Sequence, residues 1–94
     1  MSHPTSARAV DVTITGRVQG VFFRASCEQE AHRLSVSGWV QNAPDGSVTG
    51  HFEGDADAVE ALIDWCHDGP RHARVDDVEV RDVGMQHCTD FEAC

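Results

Sequence analysis

The sequence predicts an α+β sandwich of the split-βαβ kind, and three observations lead there. Two stretches place apolar residues at helical spacing: Phe23, Cys27, Ala31 and Leu34 in the first, Val59, Leu62, Ile63 and Cys66 in the second. The stretches before, between and after them alternate apolar and polar residues with a period of two, as strands with one buried face do. The resulting order, strand-helix-strand-strand-helix-strand, fills 94 residues with no linker long or polar enough to divide them. A single domain over residues 1–94 is therefore expected, with both amphipathic helices packed on one sheet face.

Taken in order, Met1 to Arg8 read as a flexible arm. Val10, Val12 and Ile14 then alternate with Asp11, Thr13 and Thr15 as a first strand, which Gly16-Arg17-Val18-Gln19-Gly20 interrupts. The first helix follows from Phe23, with Glu28, Gln29, His32 and Arg33 on its polar side. Val36 to Gln41 return to strand, Ala43-Pro44-Asp45-Gly46 form a turn, and Val48, Gly50 and Phe52 complete a hairpin closed by Gly54. Asp57 and Glu60 have the spacing of a capping box at the second helix, and Gly69-Pro70 stop it. Val75, Val78, Val80 and Val83 mark a long fourth strand with one break in its alternation, and Asp90 to Ala93 leave room for a short edge strand. This is the ferredoxin-like order βαββαβ. The fold hosts many functions, so function has to be read from a site.

Charge narrows the partners. Seven arginines and no lysine stand against 16 acidic residues, a net charge of −9. Such a surface repels phosphate backbones and anionic lipid, so neither nucleic acid nor membrane is an expected partner. An anionic ligand would have to be held by a local cluster of donors. The lysine-free, acidic balance also fits adaptation to high salt, where screening shortens self-repulsion. No apolar run approaches the ~20 residues of a membrane span, and no secretory segment is visible, so a cytoplasmic address is expected. Cys27, Cys66, Cys88 and Cys94 contain no C-x-x-C and read as free thiols. The pairs Cys66-His67 and His87-Cys88 cannot both ligate one zinc at the usual spacing, and no metal site is expected.

Two segments carry candidate chemistry. Gly16 to Arg24 join the first strand to the first helix, where a glycine-containing loop can turn several N–H groups onto one anion. Arg24 stands near the helix start, a mildly unfavourable place for a cation unless an anion docks beside it. An ordinary strand-to-helix turn followed by a solvated arginine would leave the same trace. Asn42 ends the second strand, where its carboxamide could orient a water without titrating, or could simply cap its own backbone. Trp39 reads as packing.

Together the two segments are more specific. Gly-x-Val-Gln-Gly-Val-x-Phe-Arg24, then Gly38-Trp-Val-x-Asn42-x-x-Asp-Gly-x-Val48 and Glu53-Gly54, resemble the acylphosphatase family over residues 10 to 84. The resemblance implies an antiparallel sheet with two helices on one face and hydrolysis of the carboxyl-phosphate bond of small acyl phosphates. It also implies that Arg24 binds the phosphate, that Asn42 positions the attacking water, and that the backbone amides of Gln19, Gly20, Val21, Phe22 and Phe23 cradle the phosphoryl group. The expected partners are the acyl phosphate and inorganic phosphate, acting on a monomer with no cofactor or metal. Arg17 falls at a variable position and reads as solvated. The acidic surface and the closing Asp90-Phe-Glu-Ala-Cys94 depart from the family's pattern. The alternative is a non-catalytic anion-binding or accessory module of the same fold.

Overall fold

In the computed structural model, which describes residues 6–94, the strands and helices follow the expected order, with the short edge strand forming where Asp90 to Ala93 left room for it. They are β1 (Ala7–Arg17), α1 (Phe23–Leu34), β2 (Ser37–Asn42), β3 (Val48–Asp55), α2 (Ala56–Asp68), β4 (Arg74–Asp82) and β5 (Phe91–Ala93). The sheet order is β4-β1-β3-β2-β5. β3 lies between β1 and β2 and is antiparallel to both, the split arrangement that the two crossover helices require.

Three expectations change. The arm was to run through Arg8, but Ala7 and Arg8 already pair with Asp55 and Gly54 of β3, and Arg8 bridges Glu60 and Asp82 at 2.7 and 3.2 Å. Residues 1–5 of that arm lie outside the described residues. The sheet is mixed rather than antiparallel, because β5 pairs parallel to β2. The chain leaves β4 at one edge and crosses to the opposite edge through the strap 83–90, so it arrives running the same way as β2. The capping box does not form either. α2 starts at Ala56 with Asp55 as its N-cap and no side-chain cap bond, which puts Asp57 inside the first turn.

The break in β4 has a physical cause. Thr15 faces Asp77 while Gly16 faces Val75, so Asp76 is an extra residue in the ladder. Val78 and Val80 oppose Ile14 and Val12 on one side of that bulge. At Gly16, with φ 123°, a Cβ would sit 2.2 Å from the Arg74 carbonyl oxygen, so only glycine admits the approach.

One sheet face carries Val10, Val12, Ile14, Val40, Val48 and Phe52 into the core against Phe23, Cys27 and Ala31 of α1 and Val59, Leu62, Ile63 and Cys66 of α2. Phe91 of β5 joins them beside Phe52, with ring centroids 5.9 Å apart. Every helical position expected to be apolar and inward is buried or, for Leu34, packed on the core's edge. The opposite face is polar, and the strap lies over it. His87, with φ 58°, turns the strap so that the amides of Gln86 and Cys88 both donate to Glu53, each at 2.7 Å. Burial alone would push the Glu53 carboxyl up, but His51 and these two amides outweigh it and hold it below the usual range.

Candidate active site

The loop between β1 and α1 is shaped by two left-handed residues. Gly20 (φ 74°) and Phe22 (φ 63°) flank Val21, whose φ is not positive. Alternation of this sort turns successive N–H groups toward one side, and for phenylalanine it is a strained conformation. Phe22 then acts as the N-cap of α1 without a side-chain bond, and its carbonyl accepts from the Ser26 N–H at 3.0 Å. The N–H groups of Phe23, Arg24 and Ala25 come before that first helical bond, and no acidic side chain stands in the turn to meet them. Three main-chain donors and the positive end of the helix dipole are thus left facing outward from one turn.

The sequence places the loop; the tertiary structure supplies what faces it. A hollow of about 350 Å³ is lined by Val18, Gly20, Phe22, Phe23, Arg24, Ala25, Asn42 and Ala93. Arg24 and Asn42 therefore share one cavity, although 17 residues separate them in the chain. Asn42 reaches it because β2 ends there, beside the end of β1 across β3. Arg24 is half-buried, and its Nη1 donates to the Cys94 main-chain oxygen, which fixes the guanidinium at the rim. Phe22 is 79% exposed at the mouth.

Of the five loop residues expected to form a cradle, Gly20, Phe22 and Phe23 line the hollow, while Gln19 and Val21 do not. Val21 packs its side chain into the core. Gln19 has a role that its backbone alone did not suggest: its Nε2 donates to the carbonyls of Ala43 and Ser47 at 2.8 and 2.9 Å. That clamp ties the loop to the β2–β3 turn just past Asn42. A polar side chain between Val18 and Gly20 was the only local signal for it. The turn is set by Asp45, whose Oδ1 accepts from the Ser47 amide and hydroxyl at 2.9 and 2.6 Å, and these bonds hold its carboxyl below the usual range. Ala93 and the Cys94 main-chain oxygen are the other contributors that sequence reasoning missed, since β5 has no periodicity long enough to place it. Arg17 is exposed at the end of β1, as expected.

Fold and hollow define a ferredoxin-like domain that gathers main-chain donors, a guanidinium and a carboxamide where β1 and β2 finish. The chain belongs to the acylphosphatase family, whose model matches residues 10–93. An acylphosphatase from Nocardioides sp. is 64% identical over 83 residues, covering 88% of this chain and 84% of that one. Among solved structures, an acylphosphatase from Coxiella burnetii superposes with a TM-score of 0.90 at 34% identity, over 94% of this chain and 93% of the other. The acylphosphatase from Bacillus subtilis also gives 0.90, at 28% identity over 95% and 99%.

Proposed function

We propose that this chain hydrolyses the carboxyl-phosphate anhydride of small acyl phosphates to a carboxylate and inorganic phosphate. The main-chain N–H groups of Gly20, Phe22 and Phe23, which line the hollow, the open first turn of α1 and the Arg24 guanidinium hold the phosphoryl oxygens. Asn42 orients a water for in-line attack. An acyl phosphate is already activated, and its carboxylate leaves without help from a strong acid. The protein's work is then to neutralise phosphoryl charge and aim the nucleophile. The observation that carries the reading is the shared hollow: Arg24 and Asn42 line it together with the left-handed loop. Among the described residues no carboxylate or imidazole side chain lines it, and a phosphoryl oxygen of the substrate is the proposed acceptor of the water's proton.

We further propose a cytoplasmic monomer adapted to high salt; the lysine-free net charge of −9 supports the salt adaptation and opposes self-association. The test is phosphate release from benzoyl phosphate at 25 °C with EDTA present. Arg24→Ala should lose both phosphate binding and turnover. Asn42→Ala should still be inhibited competitively by phosphate while kcat falls at least ~100-fold, the scale of a lost positioning group. A wild type that releases no phosphate would move the function to a binding module, and Asn42→Ala turning over like the wild type would assign the water to another group.

A further inference from the structure

The sheet face turned away from the helices holds a polar cluster that the hydrolytic hollow does not use. His51 of β3 is fully buried there. Its Nδ1 lies 2.9 Å from Asp11 Oδ1, on the residue paired with it across β1, and its Nε2 lies 2.7 Å from Glu53 Oε1. Glu53 shares this face because residues two apart on a strand point the same way. Trp39, the partner of His51 on β2, stacks on the ring with centroids 6.4 Å apart. The strap closes over the cluster and brings Cys88 to it. A ring nitrogen of His51, a carboxylate oxygen of Glu53 and the Cys88 thiol all lie within 4.8 Å of one another.

Both ring nitrogens of His51 meet carboxylate oxygens, Asp11 Oδ1 at 2.9 Å and Glu53 Oε1 at 2.7 Å, whereas a neutral imidazole has only one N–H to share. A positive charge between the two removes the conflict, and either a proton or a metal ion would do so. The Cys88 thiol converges on the same point, within 4.8 Å of a His51 ring nitrogen and a Glu53 oxygen. Imidazole, carboxylate and thiol are together the three-donor set of a zinc-class ion, with a fourth position left for water.

We propose that His51 Nε2, Glu53 and Cys88 Sγ bind one zinc-class divalent ion beneath the strap. Asp11 orients the imidazole from behind, and the Gln86 and Cys88 amides orient the Glu53 carboxylate, as outer partners of metal ligands commonly do. Bonds of about 2.0–2.1 Å from the ion to nitrogen and oxygen need those two atoms roughly 3.3 Å apart, so the cluster opens by about half an ångström on binding. A shallow hollow of about 220 Å³ beside half-buried Cys88, lined also by Trp39, Thr89 and Asp90, gives the ion its way in. The site lies across the sheet from the helix-side core and pins the strap that delivers β5. Its role is structural. Local spacing could not reveal it, because the ligands at 51, 53 and 88 meet only through the strap's crossing.

The test is a Co(II) titration of the metal-stripped full chain under reducing conditions. Saturation at one equivalent is expected, with a thiolate-to-cobalt charge-transfer band and the intense visible bands of four-coordinate Co(II). Cys94→Ser should keep the charge-transfer band and Cys88→Ser should abolish it. Cys88→Ser alters only a half-buried thiol, and circular dichroism and phosphate release verify its fold. Asp11→Asn should keep the band but weaken binding roughly 10–100-fold. Zinc should raise the Tm of the wild type but not of Cys88→Ser. A wild type without the band, or a band that survives in Cys88→Ser, overturns the proposal. So does a His51 ring that NMR shows protonated on both nitrogens with one equivalent of zinc present, since a proton would then be the charge between the carboxylates.

Discussion

Arg24 stands in the first turn of α1, where the dipole disfavours a cation, and its Nη1 is held by the Cys94 main-chain oxygen. Among the described residues the Asn42 side chain has no such anchor. Its position depends on the end of β2 and on the turn that Gln19 clamps through two carbonyls. Gln19→Ala removes two neutral hydrogen bonds, each contributing about 0.5–1.5 kcal/mol. Urea unfolding should show a loss of roughly 1–3 kcal/mol. Because the clamp joins the loop to the segment bearing Asn42, kcat should fall as well, while competitive inhibition by phosphate weakens less. A variant with reduced stability but unchanged kcat would make the clamp purely structural.

Among the elements, β1 and the hairpin turn set the geometry of the hollow. The β1–β4 bulge falls between Thr15 and Gly16, just before the ladder ends at Arg17, and at Gly16 the Arg74 carbonyl leaves no room for a Cβ. Gly16→Ala combines that clash with an unfavourable φ, and thermal unfolding should show a cost of at least ~2 kcal/mol, at the upper end for single substitutions. The hairpin turn responds to pH through Asp45. Its folded pKa is depressed by the Ser47 hydroxyl and amide, so its stabilisation is complete above the unfolded value of about 4 and fades as pH falls through the lower folded value. Wild type and Asp45→Ala should therefore differ in Tm at neutral pH and converge under acid. A constant gap down to pH 2 would assign the difference to something other than the carboxylate.

Across the whole molecule, the charge of −9 surrounds the hollow proposed to receive an anion. Local donors act at contact distance, whereas the global repulsion acts over the Debye length of about 10 Å at 0.1 M salt. Added KCl should therefore lower KM for an acyl phosphate with little change in kcat, and it should raise Tm as self-repulsion is screened. A KM that rises with salt would mean that the local field of Arg24 and the helix start already governs substrate approach.

Much of this was legible in the order of residues. The periods of two and 3.6 located both helices and four strands, since each element must turn one apolar face to a common core, and the two glycine-bearing motifs singled out Arg24 and Asn42. The extent of β1, the parallel pairing of β5 and the misplaced cap of α2 were not legible, because each depends on a partner distant in the chain. Residue order alone was enough for the two helices, four strands and the family, and it singled out Arg24 and Asn42 as candidates. It took the folded chain to show that Gln19 grips the turn, that β5 completes the hollow, and that the strap brings Cys88 to His51 and Glu53. The reason is physical: periodicity records which face of an element is buried, whereas a loop's course is fixed by the backbone groups it meets after crossing the sheet.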